Sequence, residues 1–477
     1  VSVPRIGKDE WVASVDVRRE TAGGPLGAAF RRLGRGWGLA LFGVLAALYP
    51  VVAGSDFLVR IGVNVLLLVM LVLGLNVVVG WTGLLDLGYV AYYGLGAYGY
   101  AFLSSNQFGV HLPTLLAVAI VVVVVALVGY LLGLPTRRLS GDYLAILTLF
   151  FLQVFVELSL NLDRLRLPFV GHPVAITGGP NGIAGVDPMH LLGIALRSVT
   201  DYYYLLLVLV VGLLFGLGNL ERSRSGRAWM AIREDPLAAE HMTVPVARMK
   251  VLAYALGATV AALAGTVFAA VQVGVFPQNF TVTLIIVVYA GLILGGAGSL
   301  PGAVVGAIII GAVPEILRIP GGGRVLFYGG LLLAVIFWLR PRRRGAAVVG
   351  GTLLLGFVVR AVVMLLRPGA IAPVPDDAGG FSRTVGHWVV LVVRGDDWVV
   401  DVGFVALVAL VLLVVVLKEP WRTAALVPVA YLAVFVWENR LVNEVSITRQ
   451  MVFGALLVVM MAVRPQGLLG KPRVEVV

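Results

Sequence analysis

Catalysis needs nucleophiles, acid–base pairs or metal ligands at particular spacings, and the residues able to supply them here are few and scattered. The five histidines, His111, His172, His190, His241 and His387, form no H-E-x-x-H or other metal-ligand spacing, and each reads as a surface or interfacial side chain. The absence of cysteine excludes disulfides, thiolate metal sites and thiol nucleophiles. Neither a G-x-S-x-G nucleophile elbow nor a G-x-x-x-x-G-K-[ST] phosphate loop occurs. One carboxylate stands out. Asp86 lies in the glycine-rich run GLNVVVGWTGLLDLGYVAYYGLGAYGYAF, which starts at Gly74. An acid inside a membrane span is expensive and usually functional. Aspartate before an apolar run is also a common helix-start signal, and next to Trp81-Thr82-Gly83 that signal favours a cap over a place on a pathway.

The richest polar stretch is the island Glu221 to Lys250, ERSRSGRAWMAIREDPLAAEHMTVPVARMK, with six basic residues between two apolar runs. Ser225 is placed to cap a first short helix. Asp235 followed by Pro236 starts a second, because proline tolerates the first helical position and aspartate accepts free N–H groups. Two small helices outside the bilayer are expected, serving as a docking segment.

The elements that position these residues are membrane helices. The chain has 477 residues, 60% of them hydrophobic and 13% charged, with a mean hydropathy of +0.99. That composition belongs to an all-α polytopic membrane protein. The net charge of +11 comes from 36 Lys+Arg against 25 Asp+Glu, and 24 of the 36 fall in segments placed on the cytoplasmic side. This positive-inside bias accounts for the charge without nucleic acid. Residues 1–36 do not resemble a cleavable signal, so Leu39 to Gly54 reads as a retained first helix.

A span needs about 20 apolar residues. The sequence predicts fourteen, near 39–54, 57–80, 83–103, 112–134, 141–161, 201–220, 250–274, 282–297, 301–317, 325–340, 346–366, 402–417, 423–437 and 450–463. The domains expected are a cytoplasmic segment 1–38, a core 39–317 of about 10 helices carrying the loop 221–249, an extra segment 318–449 of 4 helices, and a final helix with tail 450–477. Asn76, Asp86, Gly88 and Gly94 in the glycine-rich run are candidate pathway residues. Gly295, Gly296 and Gly298 are further candidates, since a break there either lines a cavity or makes a plain hairpin turn. An outside loop, Thr177-Gly178-Gly179-Pro180-Asn181-Gly182, has turn chemistry.

Several stretches in this order resemble the permease subunits of ABC importers for branched-chain amino acids, the LivM type. They are GLNVVVGWTGLLDLGYVAYYGLGAY, RLSGDYLAILTLFF, TGGPNGIAGV, RSRSGRAWMAIREDPLAAE, LGGAGSLPGAVVGA and FGALLVVMMAVRPQGLLG, spanning 57 to 317 and 450 to 470. The resemblance implies a type II-like permease fold in a bacterial cytoplasmic (inner) membrane. The partners it implies are a second related permease, two cytoplasmic ATPases and an extracytoplasmic substrate-binding protein. ATP would be used by those partners, with no cofactor or metal bound by this chain and no enzymatic activity of its own. It also implies that Arg224, Gly226, Arg227, Ala228, Arg233, Glu234, Asp235, Ala238 and Ala239 couple to an ATPase.

Two departures stand out. Thr243 stands where a glycine is usual, which predicts a less sharply terminated helix end. Segment 318–449 is extra, and GGLLLAVIFWLRPRR resembles the terminal FGALLVVMMAVRPQG, so either helix could close the core. Alternatives of other classes are a permease for urea or short amides, an ion-coupled secondary transporter, and a membrane enzyme. Few midplane polar groups support the second, and no catalytic set supports the third.

Overall fold

The computed structural model describes residues 35–106, 109–137, 141–162, 176–191, 193–317, 323–324, 327–332, 342–373, 380–393, 397–417, 421–441, 454 and 466–470. Its helices are α1 (Arg35–Ala53), α2 (Asp56–Leu75, continued by a π-helical stretch Asn76–Trp81), α3 (Tyr89–Leu103), α4 (Thr114–Gly133), α5 (Asp142–Asn161) and α6 (Val199–Arg222). They continue with α7 (Arg224–Glu234), α8 (Pro236–His241), α9 (Val246–Gln272), α10 (Val282–Gly295) and α11 (Leu300–Ile316). Last come α12 (Arg342–Leu366), α13 (Gly380–Trp388), α14 (Asp397–Val416) and α15 (Trp421–Val436). Among the described residues, seven helices are long and apolar enough to cross a membrane, and Leu41–Ala53, Leu300–Ile316 and Trp398–Val414 are shorter apolar runs. This is an all-α, multi-pass membrane architecture. Of the span expected at 325–340 only 327–332 is described, as helix, and of that at 450–463 only 454; the others each meet a helix.

Two compact units divide the chain, Val1–Ala312 with Leu457–Val477, and Val313–Leu456. In the first, α2 is apolar all round beyond Asn64, and 89% of its most apolar window is buried, against 22% for α4. A helix without a polar face is stable only when other helices surround it. Small residues set how closely they come. Where α3 crosses α9, a methyl group on Gly96 would lie 2.6 Å from Ala262 Cα, and one on Gly265 would lie 2.8 Å from Ala97 N. Backbones in such contact gain packing that bulkier residues forbid.

One boundary differs from the sequence expectation. The span predicted to begin at 83 begins at Tyr89, and 82–88 is an irregular break. Gly83 has φ +74, a left-handed conformation through which a right-handed helix cannot continue.

In the second unit, Val385, Val389, Val390, Val400, Tyr431, Val434, Phe435 and Val436 form a core. Glu438 is 3% exposed and pairs with Arg324 at 3.1 Å, while Tyr328 donates to its Oε1 at 2.9 Å. Arg360, a charge inside a predicted span, donates to the Val389 carbonyl at 2.9 Å, which satisfies it locally. The stretch between α12 and α14 contains α13, whose Trp388 Nε1 donates to the Leu353 carbonyl at 2.9 Å.

Candidate functional site

The island folds as two short helices, with one cap moved. Ser223, not Ser225, caps α7: it is extended (φ −69, ψ 173) and its hydroxyl accepts from Gly226 N at 3.2 Å. Ser225 already lies inside the first turn. Both serines have the chemistry of a cap, and the end of α6 at Arg222 decides which of them is extended. Gly226 makes the α6–α7 turn possible, because a methyl group there would lie 2.5 Å from the Glu221 carbonyl oxygen. Asp235 caps α8 as its sequence suggests, with Oδ1 accepting from Leu237 N at 2.8 Å and Ala238 N at 3.1 Å.

The C-terminus of α8 is sharply closed. Val244 N bonds the Ala239 carbonyl and Thr243 N the Glu240 carbonyl, the pair of bonds that defines a Schellman motif. Thr243 therefore occupies the left-handed position, at φ +66. The expectation of a loosely ended helix is corrected, and the reason a glycine suits this position is now physical: a β-branched residue is strained there. Thr243→Gly is expected to stabilise the protein by about 1 kcal/mol. A detergent-solubilised thermal unfolding curve checks this, and an unchanged or lower midpoint counts against it.

The two helices have distinct faces. Trp229, Ile232 and Ala239 are buried, whereas Arg224, Arg227, Ala231, Glu234, Asp235, Leu237, Ala238 and Met242 are exposed and Ala228 is half-buried. Ala239 thus packs within its own chain and does not belong with Ala238 as a surface for a partner. Trp229 donates to the Met249 carbonyl at 2.8 Å and stacks on Trp81 at 6.1 Å. Arg233, in the last turn of α7, donates to the carbonyls of Gly80 and Ala297.

Those carbonyls belong to two chain breaks. The first follows α2, whose π-helical continuation Asn76–Trp81 runs into the irregular residues 82–88. The second is the turn between α10 and α11, where Gly296 and Gly298 have φ +108 and +91. Asn76 is fully buried and its Oδ1 accepts from Gly298 N at 2.7 Å, joining the breaks. Residues 466–470 add a strap: Leu468 N and Leu469 N donate to the carbonyls of Leu294 and Gly295, each at 2.9 Å. Four stretches that the sequence leaves far apart, GWTG, RSGRAWMAIRED, GGAGS and QGLLG, therefore meet at one place.

Asp86 is fully buried in the first break. Its Oδ1 accepts from Gly88 N at 2.9 Å, its backbone N–H donates to the Tyr289 hydroxyl at 3.0 Å, and its Oδ2 has no partner. Leu87 N is held by Thr148 Oγ1 at 2.9 Å, and Gly88 lies against the Thr148 backbone. The side chain closes an Asx turn just before α3, whose N-cap is Gly88 with no side-chain cap bond, so the cap expected at Asp86 is not formed. Asp86→Asn keeps the acceptor for Gly88 N and removes a buried charge, so folding is expected to persist, with any change within about 1 kcal/mol, and transport with it. Uptake by cells expressing the variant tests this, and transport lost at normal expression would put the charge itself on the pathway.

Gly94 lies elsewhere, beneath an aromatic cluster in which Phe280 meets Tyr93 at 5.4 Å, Phe155 at 5.9 Å and Phe268 at 5.9 Å. The outside loop is at the opposite end of the spans from α7. Thr177 Oγ1 accepts from Gly179 N at 3.4 Å, Gly179–Asn181 is a single 3₁₀ turn, and Gly178, Gly179 and Gly182 all have positive φ. Ile183–Ala184 then pairs antiparallel with Gly274–Val275, and Gln278 donates to the Pro180 carbonyl at 3.2 Å. Of the residues singled out from sequence, the structure brings Asn76, Arg233, Gly295, Gly296 and Gly298 together and leaves Gly94 and the outside loop apart. Trp81, Trp229, Gly80 and the strap were missed; a single tryptophan within a polar island was the available signal.

Residues 57–336 match the family model described as branched-chain amino acid transport system, permease component. The high-affinity branched-chain amino acid transport system permease protein LivM of Escherichia coli (strain K12) is 36% identical over 322 residues, covering 63% of this chain and 72% of the relative. LivM of Salmonella typhimurium gives the same figures, 36% over 322 residues. The autoinducer 2 import system permease protein LsrC of Enterobacter sp. (strain 638) is 30% identical over 315 residues, 62% of this chain and 83% of the relative. No solved structure matches. With its glycine-lined helix crossings, its two breaks and the short helices bonded to them, the chain belongs to the family of branched-chain amino acid transport system permease components.

Proposed function

We propose that this chain is one permease subunit of an ATP-driven ABC importer in a bacterial cytoplasmic membrane. It carries branched-chain or related amino acids across, after delivery by an extracytoplasmic binding protein. A second related permease completes the pathway. Two cytoplasmic ATPases hydrolyse ATP, so the chain itself binds no cofactor and catalyses no reaction. The observation that carries the reading is the two-faced pair α7–α8: one side is anchored through Trp229, Ile232 and Ala239, and the other presents Arg227, Glu234, Leu237, Ala238 and Met242. Leu237 and Met242 are 70% and 78% exposed at the tip of a segment bearing six basic residues. Apolar side chains set among charges in water suit a protein groove. A short, capped helix also transmits displacement that an unstructured connector would absorb.

The test is reconstitution. Liposomes holding this chain with its genomic-neighbour permease and ATPases, plus the binding protein, should accumulate leucine, isoleucine or valine only with ATP inside. Accumulation by this chain alone, driven by an ion gradient, would replace the reading with a secondary transporter.

A further inference from the structure

We propose that Arg233 is a positioning residue that ties movement of α7 to both chain breaks, and that it is not a contact for the ATPase; this rests on the importer reading above. A cation in the last turn of a helix ordinarily needs no more explanation than the helix dipole. Arg233 does something different. Its guanidinium reaches into the protein and donates to the carbonyls of Gly80 and Ala297, and its stem lies against Gly83.

Both acceptors sit where the chain leaves helical geometry, the first at the π-helical end of α2 and the second in the α10–α11 turn. Carbonyls past a helix end lack an intrahelical donor, and away from water each must find one. Both bonds leave one nitrogen, Nη1, that to the Ala297 carbonyl at 3.4 Å, and the long arginine stem is what carries this nitrogen to the two breaks. Asn76 Oδ1 and Gly298 N already bond the two breaks to each other at 2.7 Å. The result is a junction of three pieces of chain, and α7 carries it to the exposed residues Glu234 and Asp235. A displacement of α7 must therefore carry both breaks with it or rupture their bonds to Arg233. The Trp81–Trp229 stack keeps α7 in register over the first break while this happens.

The experiment uses the complete reconstituted complex and reads uptake per ATP hydrolysed. With Arg233→Gln the complex is expected to assemble and hydrolyse ATP, while uptake per ATP falls about tenfold, the factor corresponding to loss of one bond to a charged donor. Arg233→Lys should recover part of that loss. A second readout uses the absence of cysteine: Ser299→Cys, buried in the second break, should react faster with a thiol reagent during ATP turnover when Arg233 is present and show no such change with Arg233→Gln. An unchanged coupling ratio and unchanged labelling in the glutamine variant would overturn the inference. So would loss of the ATPases from the complex, which would make Arg233 a docking residue. If Arg233→Gln fails to fold, the lysine variant decides through the same two readouts. A wild-type complex without ATP-dependent uptake would instead sink the importer reading.

Discussion

Changing Ala238 to arginine is expected to abolish coupled uptake while leaving a folded, membrane-inserted permease. Ala238 is exposed on α8, beside Leu237 and Met242, so a long charged side chain meets nothing in its own chain. It would meet whatever docks there. Losing a central contact of an interface costs about 2 kcal/mol or more, roughly a thirtyfold loss of affinity. Ala239→Arg should behave differently: Ala239 is 4% exposed, and burying an unpaired guanidinium costs several kcal/mol, on the order of a protein's whole margin. Size-exclusion profiles of the two variants, followed by ATP-dependent uptake for whichever survives, separate surface from core. Full uptake by Ala238→Arg would remove α8 from the contact.

Gly306→Val is expected to prevent folding of the first unit. α10 and α11 cross where Gly291 and Gly295 face Gly302 and Gly306. A Cβ on Gly306 would lie 2.6 Å from Gly295 N and 2.8 Å from its Cα, which are backbone atoms unable to turn aside as a side chain can. Overpacking a core ordinarily costs about 1–3 kcal/mol, and a rigid backbone with a two-methyl side chain pushes beyond that range. The separation of the two helices would also draw the α10–α11 turn away from Asn76 and Arg233. Fluorescence-detected chromatography of the variant should show aggregate in place of a monodisperse peak. A normal peak with a normal melting temperature would mean that the crossing tolerates a larger separation than the structure shows.

Much of the fold could be read from local properties. Apolar runs of bilayer length located the helices, because partition between water and hydrocarbon depends on composition more than on partners. Asp235-Pro236 announced α8 for a similarly local reason: both the cap and the fixed φ act within three residues. The misplaced cap shows the limit. Ser223 and Ser225 are chemically equal, and the packing that ends α6 selects between them. The extension of the third span back to 83 failed because six residues of apolar pattern say nothing about a glycine held at positive φ.

The sequence by itself determined that this is a helical membrane protein, that its central island forms two capped helices, and, through six motifs in order, the family to which it is similar. Tertiary structure alone decided what those motifs do to one another. Asn76 and Gly298 are 222 positions apart and Arg233 and Gly80 are 153 apart, separations over which no periodicity, cap or hydropathy signal extends. Such pairs meet because glycine-lined crossings bring α2, α3 and α9 within backbone contact, which leaves buried carbonyls and amides that must find donors and acceptors. The same requirement turned Arg233 inward and left Ala238 facing water.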